Sequence, residues 1–131
     1  MSKKLLVVDD AVIIREIIKD TLKSAGWTIV GEADNGQTAI ERYRELQPDV
    51  MTLDMVMPGF DGLHALRQIL QEFPAAKIIV VSALDQKNVL KDAFKIGAAD
   101  FILKPFDKKN LVETVERVIA TSAVETATPV V

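Results

Sequence analysis

The stretch Leu5-Leu6-Val7-Val8-Asp9-Asp10 decides the fold. Four consecutive apolar residues without alternation read as a strand buried on both faces, as in a parallel sheet covered by helices on either side. The run then stops on two adjacent acids. Two carboxylates about 4 Å apart repel by about 1 kcal/mol in water and about 4 kcal/mol at the effective dielectric of a protein surface. An acid pair at the end of a buried strand therefore asks for a cation beside it.

Outward from this strand, short apolar runs alternate with helical patterns. Ile13, Ile14, Ile17, Ile18, Thr21 and Leu22 recur at helical spacing and stop at Ala25-Gly26, with glycine as the C-terminal signal. Residues 27–33 (WTIVGEA) form a second strand, and Ala39, Ile40, Tyr43 and Leu46 mark a helix that Pro48 ends. Residues 50–53 (VMTL) form a third strand ending in Asp54, and MVMPGFDG after it reads as loop. Leu63, Leu66, Ile69, Leu70 and Phe73 give a third helix closed by Pro74. Residues 77–81 (KIIVV) are a fourth strand followed by Ser82. Val89, Leu90, Ala93 and Phe94 lie on a fourth helix ending at Gly97. Residues 101–103 form a short fifth strand before Lys104-Pro105, and Leu111, Val115, Val118 and Ile119 make the last helix. Five strand–helix units in series imply an α/β fold, a doubly wound five-stranded parallel sheet flanked by five helices. Residues 1–120 read as one domain, and residues 121–131, without periodicity, as a flexible C-terminal tail.

Composition narrows the function. The 131 residues suffice for one domain with a single core. A net charge of -3 with both signs interspersed gives no basic footprint for nucleic acid. The lack of cysteine removes disulfides, thiolate catalysis and cysteine-based zinc sites. The N-terminus has no signal-peptide pattern, and no run approaches the roughly 20 apolar residues of a membrane span. The expected location is the cytoplasm.

Ligands of open α/β sheets bind beyond the carboxyl ends of the strands. Asp9 and Asp10 follow the first strand there, Asp54 the third, Ser82 the fourth, and Lys104 precedes the last helix. If the first and third strands are neighbours, three carboxylates converge. An oxygen-only donor set of this kind suits Mg²⁺. A divalent cation with a lysine and a hydroxyl nearby handles phosphoryl groups, and a carboxylate there can be the nucleophile.

VVDD, LDMVMPGFDG, VVSA and LKPF, in that order, resemble the receiver domains of bacterial two-component response regulators, and more narrowly the CheY-like, single-domain chemotaxis type. The resemblance covers residues 3–120. CheY itself exemplifies the flavodoxin-like strand order 2-1-3-4-5, so that order enters through the resemblance. By the same resemblance Asp54 is the phosphoacceptor. Asp10, Asp54 and the backbone carbonyl of Val56 are direct Mg²⁺ ligands, with Asp9 acting on the metal mostly through water. Lys104 contacts the phosphoryl group across a cis Lys104-Pro105 bond, and Ser82 is the switch hydroxyl. Phe101 is the aromatic that turns inward, without the hydroxyl of the tyrosine that many relatives carry. Val56 and Leu84 flank the approach of hydrolytic water and, being apolar, imply slow autodephosphorylation.

Each residue also has a structural reading. Asp10 alone would be a helix N-cap, Asp54 a turn residue, Ser82 a cap of the fourth helix, Lys104 a surface lysine and Phe101 core. Their conjunction favours the site. His64 lacks a partner histidine or cysteine and reads as surface, and Trp27 reads as packing. Lys87, Lys91 and Lys95 form either a solvated face or a partner surface. A haloacid-dehalogenase-like phosphatase needs an acid two residues after its nucleophile, where Val56 stands. A nucleotide binder needs a phosphate loop where DDAV stands.

The expected function is thus a phosphorylation-controlled switch rather than an enzyme. It takes a phosphoryl group from a histidine kinase and alters affinity for a protein target docked on helix 4, strand 5 and helix 5. Rapid resetting is expected to need a separate phosphatase or back-transfer, chemotaxis is the expected pathway, and the chain is expected to be a monomer that binds neither nucleic acid nor membrane. A phosphorelay intermediate or a receiver cut from a larger response regulator is the alternative.

Overall fold

Strand β1 (Lys4–Val8) sits inside a five-stranded parallel sheet in a computed structural model that describes residues 3–57, 60–83 and 87–127. The chain continues through α1 (Val12–Ser24), β2 (Thr28–Ala33), α2 (Gly36–Leu46) and β3 (Val50–Asp54). Two short strands, β4 (Val56–Met57) and β5 (Phe60–Asp61), lead into α3 (Gly62–Glu72). Then come β6 (Ile78–Ala83), α4 (Lys87–Ile96), β7 (Asp100–Lys104) and α5 (Lys108–Ala127). The sheet order is β2-β1-β3-β6-β7, every pair parallel. Counting only these five strands it is 2-1-3-4-5, the flavodoxin-like order.

The strands are apolar on both faces because both faces are covered. Leu5 and Val7 point to one side and pack with Ile18 and Leu22 of α1 and Leu111 and Val115 of α5. Leu6 and Val8 point to the other and pack with Ile40 and Tyr43 of α2, Leu66 and Ile69 of α3 and Ala93 of α4. The two-residue period of a strand sends alternate side chains to opposite faces, so an uninterrupted apolar run serves two helical layers. Ordering a fully buried leucine or isoleucine this way removes about 1.5–3 kcal/mol worth of apolar surface from water.

Helix α1 ends as its sequence indicates. Gly26 takes φ +95°, the region open to glycine, while the N–H groups of Ala25, Gly26 and Trp27 bond back to Leu22 and Lys23 carbonyls. Three details differ from the sequence expectation. The stretch read as loop after Asp54 contains an antiparallel pair, Val56 with Asp61 and Met57 with Phe60. Two-residue strands are too short to carry a period, so their pattern is silent. Asp54, Ser82 and Lys104 end within strands rather than after them. The backbone of α5 stays helical to Ala127, beyond residue 120.

Among the described residues no helix is long and apolar enough to cross a membrane.

Candidate functional site

The chain leaves β1, crosses to β2 at one side, and returns to β3 at the other. Helices α1 and α2 therefore diverge above β1 and β3, which opens a crevice at their carboxyl ends. Val8 pairs with Leu53, so Asp9 and Asp54, each one residue later, emerge side by side. Carboxylate oxygens of Asp9, Asp10 and Asp54 lie within 4.8 Å of one another. Asp9 is 0% exposed and Asp54 5%, whereas Asp10 faces solvent.

Lys104 enters from β7. Its Nζ lies 2.9 Å from Asp9 Oδ2 and 3.6 Å from Asp54 Oδ1. The Lys104-Pro105 bond is cis, as the resemblance implied. Burial pulls the Lys104 pKa down, but the contact with Asp9 and the charges of Asp54, Asp9 and Asp10 outweigh it and hold it above the ordinary lysine value. The ammonium is therefore charged throughout the neutral range.

The acids are held from behind. Asp9 Oδ1 accepts the Ala11 N–H at 2.9 Å, and Arg15 Nη1 donates to the Asp9 carbonyl at 2.6 Å. Arg15 Nε also donates to Glu32 of β2 at 2.8 Å. Helix α1 begins directly after this loop, with Ala11 as N-cap and no side-chain cap. Its positive end thus faces the cluster rather than being satisfied by Asp10. The capping alternative for Asp10 is not what the fold uses.

Ser82 and Phe101 follow from the same register. Asp54 pairs with Val81, so Ser82 stands one residue beyond the acid's neighbour on β6, and Ser82 in turn pairs with Leu103. Ser82 is fully buried, with Oγ donating to the Ala83 carbonyl at 3.3 Å. Helix α4 starts at Lys87, so Ser82 does not cap it. Phe101, on β7, is 36% exposed. Val56 opens β4, two residues past Asp54. Leu84, Pro58 and Gly59 lie outside the described residues. Arg15 is the site-supporting residue that sequence reasoning missed, because a helical arginine carries no signal until the strand beside it is known.

The donor set fits a hard divalent cation. Three carboxylates against one ammonium leave two negative charges in the crevice. Asp9 Oδ2 is buried and lies against the Lys104 ammonium, so that charge already faces the acids from one side. Oxygen donors of this number and charge suit an ion that keeps several waters.

Over residues 5–116 the chain matches the response regulator receiver domain family. It is 45% identical over 118 residues to the chemotaxis protein CheY of Thermotoga maritima, spanning 90% of this chain and 98% of that one. To the CheY of Listeria monocytogenes it is 46% identical over 114 residues, 87% of this chain and 96% of the relative. A solved CheX–CheY–BeF3–Mg²⁺ complex from Borrelia burgdorferi superposes with a TM-score of 0.84 at 32% identity, over 88% of each chain. The chain belongs to this family: it is a receiver domain of a two-component response regulator.

Proposed function

We propose that this receiver takes a phosphoryl group from the phosphohistidine of a histidine kinase onto Asp54 and thereby changes its affinity for a protein target. The observation that carries the proposal is Asp54 itself. It is a nearly buried carboxylate at the carboxyl end of a central strand, within reach of two more acids and 3.6 Å from an ammonium. An Asp54 oxygen attacks phosphorus, the new O–P bond forms as the N–P bond of the donor breaks, and the imidazole leaves with the electron pair and takes up a proton.

Asp10, Asp54 and the backbone carbonyl of Val56 would hold Mg²⁺ directly, with Asp9 steadying it through water. When bound, Mg²⁺ supplies neutralisation of the charge on the phosphoryl oxygens. Lys104 meets a further oxygen with a charge that is already desolvated and aimed. Ser82 then donates its hydroxyl to the phosphoryl group, Phe101 turns into the space this leaves, and the surface of α4, β7 and α5 changes. Lys87, Lys91 and Lys95 of α4 border that surface and give it positive charge.

The CheY relatives support chemotaxis as the pathway, acting in the cytoplasm, with CheX, the partner in the Borrelia complex, as the pattern for a separate phosphatase. A small-molecule phosphodonor with Mg²⁺ is expected to add one phosphoryl group to the protein. Asp54→Asn and Asp10→Ala are each expected to abolish that addition, read by intact mass. Wild-type labelling that persists in chelator would remove the metal from the proposal.

A further inference from the structure

Phe101 does not stand alone at the surface. The ring of Phe94, from α4, meets it edge to face at 87°, with the centroids 5.8 Å apart. Phe94 is 43% exposed and Phe101 36%, so neither ring is buried by the core. On the same strand the Phe101 N–H donates to Asp100 Oδ1 at 2.8 Å, and Asp100 Oδ2 is paired with Arg117 of α5 at 3.0 Å. The backbone beneath the ring is thereby pinned, and the freedom left to Phe101 is that of its side chain.

We propose that Phe94 is a positioning residue that holds the Phe101 ring outward and so sets the resting bias of the switch. The inference rests on the reading of Phe101 as the aromatic that turns inward. Turning it inward breaks an edge-to-face contact of favourable geometry. Aromatic pairs of this kind bias an equilibrium by roughly two- to tenfold beyond their burial. A ligand that favours the inward state binds with an apparent affinity reduced by the fraction of molecules able to accept it. Removing the Phe94 ring should raise that fraction.

Beryllofluoride with Mg²⁺ is the probe. The full chain is labelled with 4-fluorophenylalanine, and the Phe101 resonance is assigned by its loss in Phe101→Leu. In the wild type that resonance is expected to move on titration with beryllofluoride. Phe94→Ala is expected to tighten apparent beryllofluoride affinity about two- to tenfold, Phe94→Leu to do so partly, and Phe94→Tyr to restore the wild-type value. Loss of a neighbouring ring shifts the Phe101 resonance by itself, so the affinity decides. If the wild-type resonance moves on binding but Phe94→Ala and Phe94→Leu leave the affinity unchanged, the latch is wrong while the switch aromatic stands. If beryllofluoride binds and the wild-type Phe101 resonance stays still, the switch reading of Phe101 fails and the latch with it.

Discussion

Gly62 is where one residue's lack of a side chain matters most to the site. A Cβ built there falls 2.6 Å from the Met55 carbonyl oxygen, 2.7 Å from Met55 Cα and 2.8 Å from the Asp54 carbonyl oxygen. All three are backbone atoms of the segment that carries Asp54, and backbone cannot swing aside as a leucine tip can. At Gly31, by contrast, the near atom is a Leu46 methyl. Gly62→Ala is expected to cost about 1–3 kcal/mol, the range for overpacking, and to slow phosphoryl acceptance by displacing Asp54. Urea unfolding and the labelling rate measure the two effects, and an alanine variant equal to wild type in both would show that the segment yields freely. In the sequence Gly62 reads as a turn residue of the loop, whereas it is the first residue of α3. The neighbour that forbids a methyl is not legible there, because Gly62 meets Met55 only after the chain has doubled back through β4 and β5. The adjacent letters Asp9 and Asp10 likewise say nothing about which is buried; the register of β1 against β3 decides it.

At the scale of elements, α5 is fastened to the opposite end of the sheet by a cluster that composition does not announce. Trp27, just before β2, donates its indole N–H to Glu116 Oε1 at 2.9 Å. Lys3, before β1, reaches the same carboxylate at 3.1 Å and lies 5.7 Å from the indole centroid. The packing role expected for Trp27 holds, since it is buried against Leu22 and Val118, but it also carries this polar tie. Burial pushes the Glu116 carboxyl up; the indole donor and the Lys3 charge outweigh it and hold it below the usual carboxylate range. A depressed folded-state pKa contributes stability that is present above the unfolded value of about 4.3 and is lost as pH falls through the folded value. Glu116→Gln keeps an acceptor for the indole and removes the charge. Its urea midpoint is expected to lie below wild type at neutral pH, with the gap closing as pH falls below the unfolded carboxylate value. A gap that does not change with pH would assign the tie to the hydrogen bond alone. The partner is 89 residues from Trp27 in the chain, which is why no local pattern points to it.

For the whole molecule the open quantity is how long the phosphorylated state lasts. Under the proposed function, hydrolysis needs a water aligned opposite Asp54, and the family resemblance implies that Val56 and Leu84 are the positions that would orient it. Neither side chain donates or accepts a hydrogen bond, and loss of such positioning costs roughly 10–100-fold in rate. Slow decay is therefore expected after donor removal, followed by intact mass. Val56→Asn/Leu84→Glu is expected to decay at least about tenfold faster. Equal lifetimes in the two proteins would mean that another part of the fold sets the timing.

The doubly wound class and the alternation of strand and helix are written in local patterns of the chain. Unbroken apolar runs and 3.6-residue spacing are local properties that survive without a partner. The same patterns place Asp9, Asp10, Asp54, Ser82 and Lys104 at element ends, since strand ends are local too. Long-range packing brings these ends into one crevice, sets Lys104 closer to Asp9 than to Asp54, braces the Asp9 carbonyl with Arg15 and rests Phe94 against Phe101. Each of those contacts joins residues from different elements. Their existence depends on which strands are neighbours and in what register, and parallel pairing across helical crossovers is fixed by the packing of both layers at once.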